Sequence, residues 1–233
     1  MNTKCNLYFV EGEEEGIFNS TLLACNESSN AAQCFLDNAS LNPEELVYDE
    51  INENNLRYIG ADPNNYVTFN NELWRIIGVM RKIPDSSWED GNVLKIIRDT
   101  SYNSSISWDT NSTGNWSTST LKTELNDRYL QTIQSPFKEM IRNSAWNIGN
   151  VAYSGLWSYD AKALYSGERG TTALVQPSMW TGSVGLLYMS DYVFATGGIN
   201  NTDRYSCLDD LWWSSTPDCH SNNWLQFAQN NWT

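Results

Sequence analysis

The chain has 233 residues, of which 40% are hydrophobic and only 18% are charged, and its formal net charge is −14. Its 11 Trp, 12 Tyr and 7 Phe can supply a packed core, which excludes an intrinsically disordered chain. The negative charge repels nucleic-acid phosphate and anionic lipid, so both are excluded as partners. The length corresponds to one large domain, or to one domain with an appendage.

Residues 1–54 are the least regular part of the sequence, because acidic runs and polar turns surround short apolar pieces. We predict an acidic, partly irregular leader over 1–54 and an extracellular α+β domain over 55–233. The first residues lack the apolar core of a secretion signal, and the sequence shows no transmembrane span. We therefore expect no direct membrane insertion by this segment, and if the protein is extracellular, its export element is expected upstream of this sequence.

The five cysteines lack the Cys-x-x-Cys spacing that is typical of zinc sites. Two close pairs, Cys25 with Cys34 and Cys207 with Cys219, predict local disulfides that each close a small loop. Such bonds persist in oxidising compartments outside the cytosol. The alternative is that all five thiols are reduced. Cys5 is left over, and it could pair with a segment outside this sequence, pair between molecules or stay free.

A β-hairpin is the clearest local prediction. Tyr66–Phe69 and Leu73–Ile77 are rich in aromatic and β-branched residues, which strands favour. Asn70 and Asn71 lie between them, and asparagine tolerates the positive φ angles of a tight hairpin turn. Val93–Ile97 predicts a further strand, so the simplest assembly is a three-stranded antiparallel meander.

A helix is predicted over about 118–134, with Thr118 or Ser119 as its N-cap. Its apolar face is indicated by residues that recur every four positions, namely Leu121, Leu125, Tyr129 and Ile133.

The second half of the chain predicts shorter elements. Ser135-Pro136 is typical of a helix start, and Trp146 would close this second helix behind the buried residues Phe137, Met140 and Ile141. A weaker helical pattern covers about 159–165. The run 184–188 predicts a short buried strand, and 190–195 predicts a brief helix that begins with Ser190-Asp191 and is ended by a pair of glycines.

Catalytic chemistry has little support in the sequence. His220 is the only histidine, and there is no Gly-x-Ser-x-Gly nucleophile motif, so a serine triad is not expected. Two carboxylates at the right separation could hydrolyse a glycoside, but no spacing selects a pair among Glu72, Asp99, Asp109, Asp191, Asp209 and Asp210. We predict no catalytic residues, no metal site and no cofactor. A calcium site built from acids of 203–218 remains an alternative.

Tryptophan and asparagine are dense near the C-terminus, where they indicate binding. Sugars stack on aromatic faces and hydrogen-bond to amides, so we predict a carbohydrate or protein contact surface. Its candidate ligand-binding residues are Trp212, Trp213, Asn222, Asn223 and Trp224. The alternative is that these tryptophans belong to the core and that the asparagines lie in turns.

The stretch Leu56–Val79 resembles a signature, "YIGxxPNNYVxFNxExWRIIGV", of a family of surface proteins from gut bacteria of the Bacillota. The likeness continues through Leu94–Asp99, Trp116-Ser117, Glu168–Thr172, Trp180–Gly182 and Val184–Thr196, and it includes Cys207 and the stretch Cys219–Trp224. In that family a prepilin-like or membrane-anchoring N-terminus often precedes the domain. The resemblance implies an α+β fold of C-type-lectin-like character, with a small twisted antiparallel sheet, flanking helices and long Trp-anchored loops. It also implies that the domain continues beyond Thr233.

These observations favour a non-enzymatic module of a bacterial cell-surface or pilin-associated protein, used for adhesion or recognition. The expected partner is a carbohydrate or a host or cell-surface protein, and the expected location is extracellular. The alternatives are a carboxylate-dependent hydrolase acting on glycans or peptidoglycan, and a purely structural surface domain. The hydrolase would need two acids with raised pKa values facing each other across a cleft.

Overall fold

The computed structural model describes residues 20–25, 28–51, 53–85, 87, 89–102, 106–110, 114–148, 159–169, 179–199, 203–209 and 217–226. The fold is of the α+β class, with two antiparallel sheets and short helices. The strands are β1 (Leu46–Tyr48), β2 (Leu56–Tyr58), β3 (Tyr66–Phe69), β4 (Glu72–Pro84), β5 (Asp90–Arg98), β6 (Ser144–Asn147) and β7 (Met179–Gly182). The helices are α1 (Ser20–Cys25), α2 (Ala31–Asp37), α3 (Thr120–Thr123), α4 (Leu130–Thr132), α5 (Phe137–Met140), α6 (Ala161–Glu168), α7 (Met189–Phe194), α8 (Arg204–Asp209) and α9 (Pro217–Ser221).

The long strand β4 organises the five-stranded sheet. One edge of β4 pairs with β3 and then with β2, and its other edge pairs with β5 along almost its whole length. The predicted hairpin is confirmed, because Asn70 and Asn71 have φ angles of 53° and 60°, which suit a tight turn between β3 and β4. The predicted meander of β3, β4 and β5 is also confirmed.

A single glycine lets β2 approach β4. Gly78 has φ +155°, and a Cβ atom built there would lie 2.0 Å from the carbonyl oxygen of Leu56. Any side chain at this position would push the two strands apart. The close approach lets Arg57 of β2 pair with Gly78 in the register of the sheet.

The described part of the predicted leader contributes to the same core as the sheet. Leu22, Phe35 and Leu46 are at most 3% exposed and belong to the cluster that includes the sheet residues. The predicted disulfide between Cys25 and Cys34 is present and joins α1 to α2, with a Cα–Cα distance of 5.6 Å. Through β1 and these helices, the chain before residue 55 folds onto the predicted domain.

The predicted helix over 118–134 is confirmed in its position and start. The Ser119 hydroxyl accepts a hydrogen bond from the Lys122 amide at 3.0 Å, so Ser119 is the N-cap. The middle of the run, Glu124–Tyr129, has π-helical hydrogen bonding and connects α3 to α4. Tyr129 and Ile133 are buried as predicted, at 3% and 4% exposure.

Two predicted elements differ from the structure. The helix predicted from Ser135-Pro136 is a single turn, α5, and Trp146 lies in strand β6 instead of closing that helix. Residues 184–188 are irregular, and Leu186 is 42% exposed, so the predicted buried strand is wrong. The nearest strand is β7, which ends just before this run and pairs with β6.

The remaining predicted elements of this half are confirmed. Helix α6 buries Ala161 and Leu164, at 1% and 0% exposure. Helix α7 begins at Met189, where a carboxylate oxygen of Asp191 accepts from the Tyr188 amide at 3.1 Å. The predicted bond between Cys207 and Cys219 joins α8 to α9.

Candidate functional site

Five aromatic side chains form two sets of ring contacts, and we call the five together the aromatic row. Centroid distances are 5.8 Å between Trp108 and Trp116, 5.6 Å between Trp116 and Trp180, and 6.2 Å between Trp146 and Tyr188. Trp146 and Trp180 are direct partners in the register of β6 and β7. Directly paired residues point to the same face of a sheet, so Trp146 and Trp180 bring the two sets to one face of β6 and β7.

The outer end of the row is built on a loop that docks against α3. The Leu121 amide donates to the Trp108 carbonyl at 3.1 Å, which fixes the loop on the start of the helix. Asn115 shapes the next turn, because its side-chain oxygen accepts from the Ser117 amide at 3.0 Å. Trp116 follows directly and is only 7% exposed, whereas Trp108 is 43% exposed. Trp108 therefore presents its indole to solvent, and Trp116 supports it from below.

A glycine makes room for the indole of β7. A Cβ atom at Gly182 would lie 1.9 Å from the ring of Trp180, so a side chain at this position would collide with the indole. The Trp146 indole N–H donates to the Gly182 carbonyl at 2.8 Å. The following segment is held by Asn126, whose amide donates to the Val184 carbonyl at 2.8 Å. The rings are thus positioned by backbone contacts and not only by packing.

Lys95 lies at the end of the row that Tyr188 forms. The ammonium nitrogen of Lys95 lies 4.4 Å from the ring centroid of Tyr188 and 5.4 Å from that of Trp146. It also forms an ion pair with Asp191, whose side chain is fully buried. Burial lowers the pKa of Lys95 despite the opposing effect of the Asp191 charge.

Behind Lys95 lies a buried ion network. Arg57 contacts Asp49 at 2.8 Å and Asp191 at 2.7 Å, and all three side chains are at most 1% exposed. Burial alone would raise the pKa of Asp191, but Lys95 and Arg57 outweigh it and hold that pKa far below its usual range. Burial lowers the pKa of Arg57 and the two carboxylates raise it, so that the net shift is upward. These ion pairs therefore join Asp49, which directly follows β1, to β2, β5 and α7.

A second buried carboxylate lies next to this network. Glu168 is 5% exposed and accepts a hydrogen bond from the Ser190 amide at 2.8 Å. Burial raises the pKa of Glu168, although its bonds to Ser190 and the nearby Arg169 oppose the shift. The Arg169 guanidinium lies 3.3 Å above the ring of Tyr165. These contacts attach the end of α6 to the start of α7.

Three of the five residues predicted to bind a ligand make contacts within the fold. Trp224 is 4% exposed, and its indole donates to the Tyr58 carbonyl at 3.0 Å. Asn223 is also buried, and its amide donates to the Tyr192 carbonyl at 2.7 Å. The Asn222 amide donates to the Gly198 carbonyl at 2.7 Å. Trp212 and Trp213 lie outside the described residues. Asn223 and Trp224 thus support the alternative in which the C-terminal tryptophans and asparagines are structural.

The candidate acids are dispersed. Glu72 accepts from the Tyr129 hydroxyl at 2.6 Å and pairs with Arg98 at 3.2 Å, while Asp209 is exposed. Asp99 and Asp109 are half-buried in separate loops, and Asp210 lies outside the described residues. The Tyr192 hydroxyl is 2.9 Å from a ring nitrogen of His220. In the described ranges, no group of three or more His, Cys, Asp or Glu side chains is arranged to hold a metal ion.

Sequence reasoning misses the aromatic row because its members are far apart in the chain. For Trp108 and Trp116 the only indication is the long Trp-anchored loops that the family resemblance implies. Sequence reasoning places Trp146 in a helix, and Trp180 carries no local signal beyond the family resemblance. Neither the strand period of two nor the helix period of 3.6 relates positions 108, 116, 146 and 180. Trp146 and Trp180 become neighbours only through the pairing of β6 with β7.

Comparison with family models, with curated proteins and with solved structures found no match for this chain.

Proposed function

We propose that this chain is a non-enzymatic recognition module that works outside the cytosol and binds a carbohydrate or a cell-surface protein through the aromatic row. The observation that carries this proposal is the exposed indole of Trp108, supported by a second buried indole. Large aromatic side chains that are rigid and partly exposed are common at binding surfaces, because they supply contact area at little entropic cost.

The disulfides fit a secreted or extracellular domain. Cys25–Cys34 and Cys207–Cys219 close loops that the reducing cytosol would leave open. In the parts of the chain that the structure describes, every helix is too short or too polar to cross a bilayer. Attachment to a bacterial surface through an upstream anchor, a role in adhesion and a C-type-lectin-like character all rest on the family resemblance.

The row is better suited to a compact contact than to a long polysaccharide track. Trp108 and Trp116 are tilted by 45°, and Trp116 and Trp180 meet edge to face at 81°. Rings that pack on one another in this way do not present a series of parallel platforms. We therefore infer that one sugar ring, or one apolar side chain of a protein partner, stacks on Trp108.

The alternative of a carboxylate-dependent hydrolase has less support. Asp191 has a lowered pKa and is bonded to Arg57 and Lys95, whereas Glu168 has a raised pKa and is bonded to Ser190. Both carboxylates are turned inward and have their oxygens occupied by donors of the same chain. Glycoside hydrolysis needs two carboxyl groups that reach the substrate from opposite sides.

Binding to a glycan array and to a panel of cell-surface proteins tests the proposal. We expect at least one specific ligand, and we expect Trp108→Ala to weaken its binding by about tenfold, or ~1.4 kcal/mol. Tyr48→Ala is the matched control, because Tyr48 is a 38% exposed aromatic residue on β1 and not in the row. No binding to either panel, or equal loss in both variants, would contradict the proposal and favour a structural role.

A further inference from the structure

The fold holds the amine of Lys95 in direct contact with the carboxylate of Asp191. The Lys95 ammonium nitrogen touches one carboxylate oxygen of Asp191, and the two residues lie 96 positions apart in the chain. The Asp191 side chain is fully buried and that of Lys95 is 12% exposed. Well-oriented groups within one molecule can reach effective concentrations on the order of 10⁵–10⁸ M.

The surroundings keep water away from this pair. Tyr188 and Trp146 cover the ammonium group with their rings, at 4.4 Å and 5.4 Å from the nitrogen. Burial is also the largest influence on the pKa of Lys95 and lowers it, which favours the neutral amine. A neutral amine is the nucleophilic form of lysine.

The second oxygen of the same carboxylate faces a cation. Arg57 donates to Oδ1 of Asp191 at 2.7 Å, while Lys95 is at Oδ2. Arg57 is itself held by Asp49 through its Nε atom at 2.8 Å. A donor fixed at one oxygen stabilises the negative charge that develops there when the carboxyl carbon is attacked.

We propose that Lys95 and Asp191 become joined by an amide bond between Nζ of the lysine and the carboxyl carbon of the aspartate, formed within the folded chain. The ammonium first passes a proton to Oδ2 across their contact, which gives an amine and a carboxylic acid. The amine nitrogen then attacks the carboxyl carbon, and Arg57 stabilises the charge on Oδ1. The nitrogen loses a second proton to Oδ2, the bond from carbon to Oδ2 breaks, and one water molecule leaves. No electron is gained or lost, and no other reactant is needed.

Burial also favours the product. The ion pair keeps two charges out of water, and the cost of removing ions from water offsets much of their mutual attraction. The amide replaces both ions with one neutral group. Its oxygen can still accept from Arg57, and the remaining pair of Arg57 with Asp49 is electrically balanced.

Intact mass spectrometry of the full, folded chain tests this proposal. The sample is reduced and denatured before measurement, so that neither disulfide affects the result. We expect a mass lower than that of the sequence by one water molecule. After proteolysis we expect a branched peptide that contains both Lys95 and Asp191. A full mass, or a loss of water that maps to other residues, would overturn the proposal.

Three variants sharpen the test. Lys95→Arg keeps the positive charge but removes the amine, so it should have its full mass. Lys162→Arg is the matched control, since Lys162 is exposed on α6, and it should retain the deficit. Asp191→Asn offers an amide in place of the acid and should lose ammonia instead of water, giving a product with the same mass as the wild-type product. If Lys95→Arg keeps the deficit, the proposed bond is wrong, and if a variant does not fold, the wild-type mass and peptide map still decide.

Discussion

Two buried arginines on adjacent strands have opposite environments. Arg57 on β2 is 1% exposed and contacts the two buried carboxylates Asp49 and Asp191. Arg75 on β4 is 6% exposed, and its only ion pair in the described residues is with Asp62, whose side chain is 78% exposed. Carboxylate charges therefore stabilise the guanidinium of Arg57, whereas uncharged groups must stabilise most of the guanidinium of Arg75.

At Arg75, aromatic faces and neutral oxygens make the contacts that carboxylates make at Arg57. Its guanidinium lies 4.4 Å from the ring of Tyr66 and 4.6 Å from that of Trp224. It donates to the side-chain oxygen of Asn65 at 2.8 Å and to the Pro63 carbonyl at 3.1 Å. Burial lowers the pKa of Arg75, and the nearby negative groups do not reverse this shift, in contrast to Arg57.

The difference shows how each arginine is linked to the rest of the chain. The polar partners of Arg75 lie within 13 residues of it, so the hairpin and the turn before it supply most of its site. Asp191 is 134 residues from Arg57 and comes from α7. Arg57 therefore holds together distant segments, whereas Arg75 stabilises a local unit that Trp224 covers.

The largest effect is expected when Arg57 loses its charge. Arg57→Met leaves Asp49 and Asp191 buried without their shared partner, and removal of one member of a buried ion network typically costs ~3–5 kcal/mol. Urea denaturation should show this loss in the free energy of unfolding. Arg128→Met is the control, because the Arg128 side chain is 75% exposed beside Glu124 and should change stability by less than ~1 kcal/mol. A loss below that limit for Arg57→Met would contradict the role given to the network.

A smaller effect is expected from the stacking at Arg75. Trp224→Leu and Arg75→Met should each destabilise the fold, and a double-mutant cycle should give a coupling energy of ~0.5–2 kcal/mol. The same cycle between Trp224 and the exposed Arg128 should give none. Additive effects of Trp224→Leu and Arg75→Met would mean that the ring does not stabilise the guanidinium.

A pH-dependent effect is expected at Glu168, which lies beside the Arg57 network. Its pKa in the fold is raised above the ordinary value of 4.5, so its contribution to stability is complete below that pH and is lost as the pH rises through the raised value. Glu168→Gln cannot ionise and should not show this loss. The free energy of unfolding of the variant should therefore increase relative to wild type between pH 4.5 and neutrality. Parallel pH profiles for the two proteins would contradict the raised pKa.

The smallest effect is expected at Asp62. Asp62→Asn removes the carboxylate that pairs with Arg75 at 3.2 Å, but an exposed ion pair is worth only ~0–1 kcal/mol. We expect a change at the lower end of that range in urea denaturation, with little dependence on salt. A loss comparable with that of Arg57→Met would mean that both arginines depend on their carboxylates.

The local unit around Arg75 is also the part of the fold that the sequence predicts best. Tyr66–Phe69 and Leu73–Ile77 are strand-forming runs around two asparagines, and the structure has the same hairpin. The Ser119 cap and the Asp191 helix start are likewise short-range patterns, and both are present. Each of these features depends on contacts within a few residues, which a sequence shows directly.

The candidate site could not be predicted in the same way. Trp146 and Trp180 are neighbours only because β6 pairs with β7, and Asp49, Arg57 and Asp191 meet only in the assembled fold. The run 184–188 is apolar enough to predict a strand, but in the fold it follows β7 and packs beside Trp146, where Gly185 leaves room for the ring. Such errors come from long-range packing overriding local propensity.

Strand β1 has a consequence for any shortened version of this protein. It has three residues and pairs with β2, whose residues Leu56, Arg57 and Tyr58 are all buried. A version that started at residue 55 would leave the backbone of β2 open along one side, next to an arginine deprived of Asp49. Open strands of this kind recruit strands from other molecules, so such a version should aggregate during expression, whereas one that retains residues 20–54 should stay in solution.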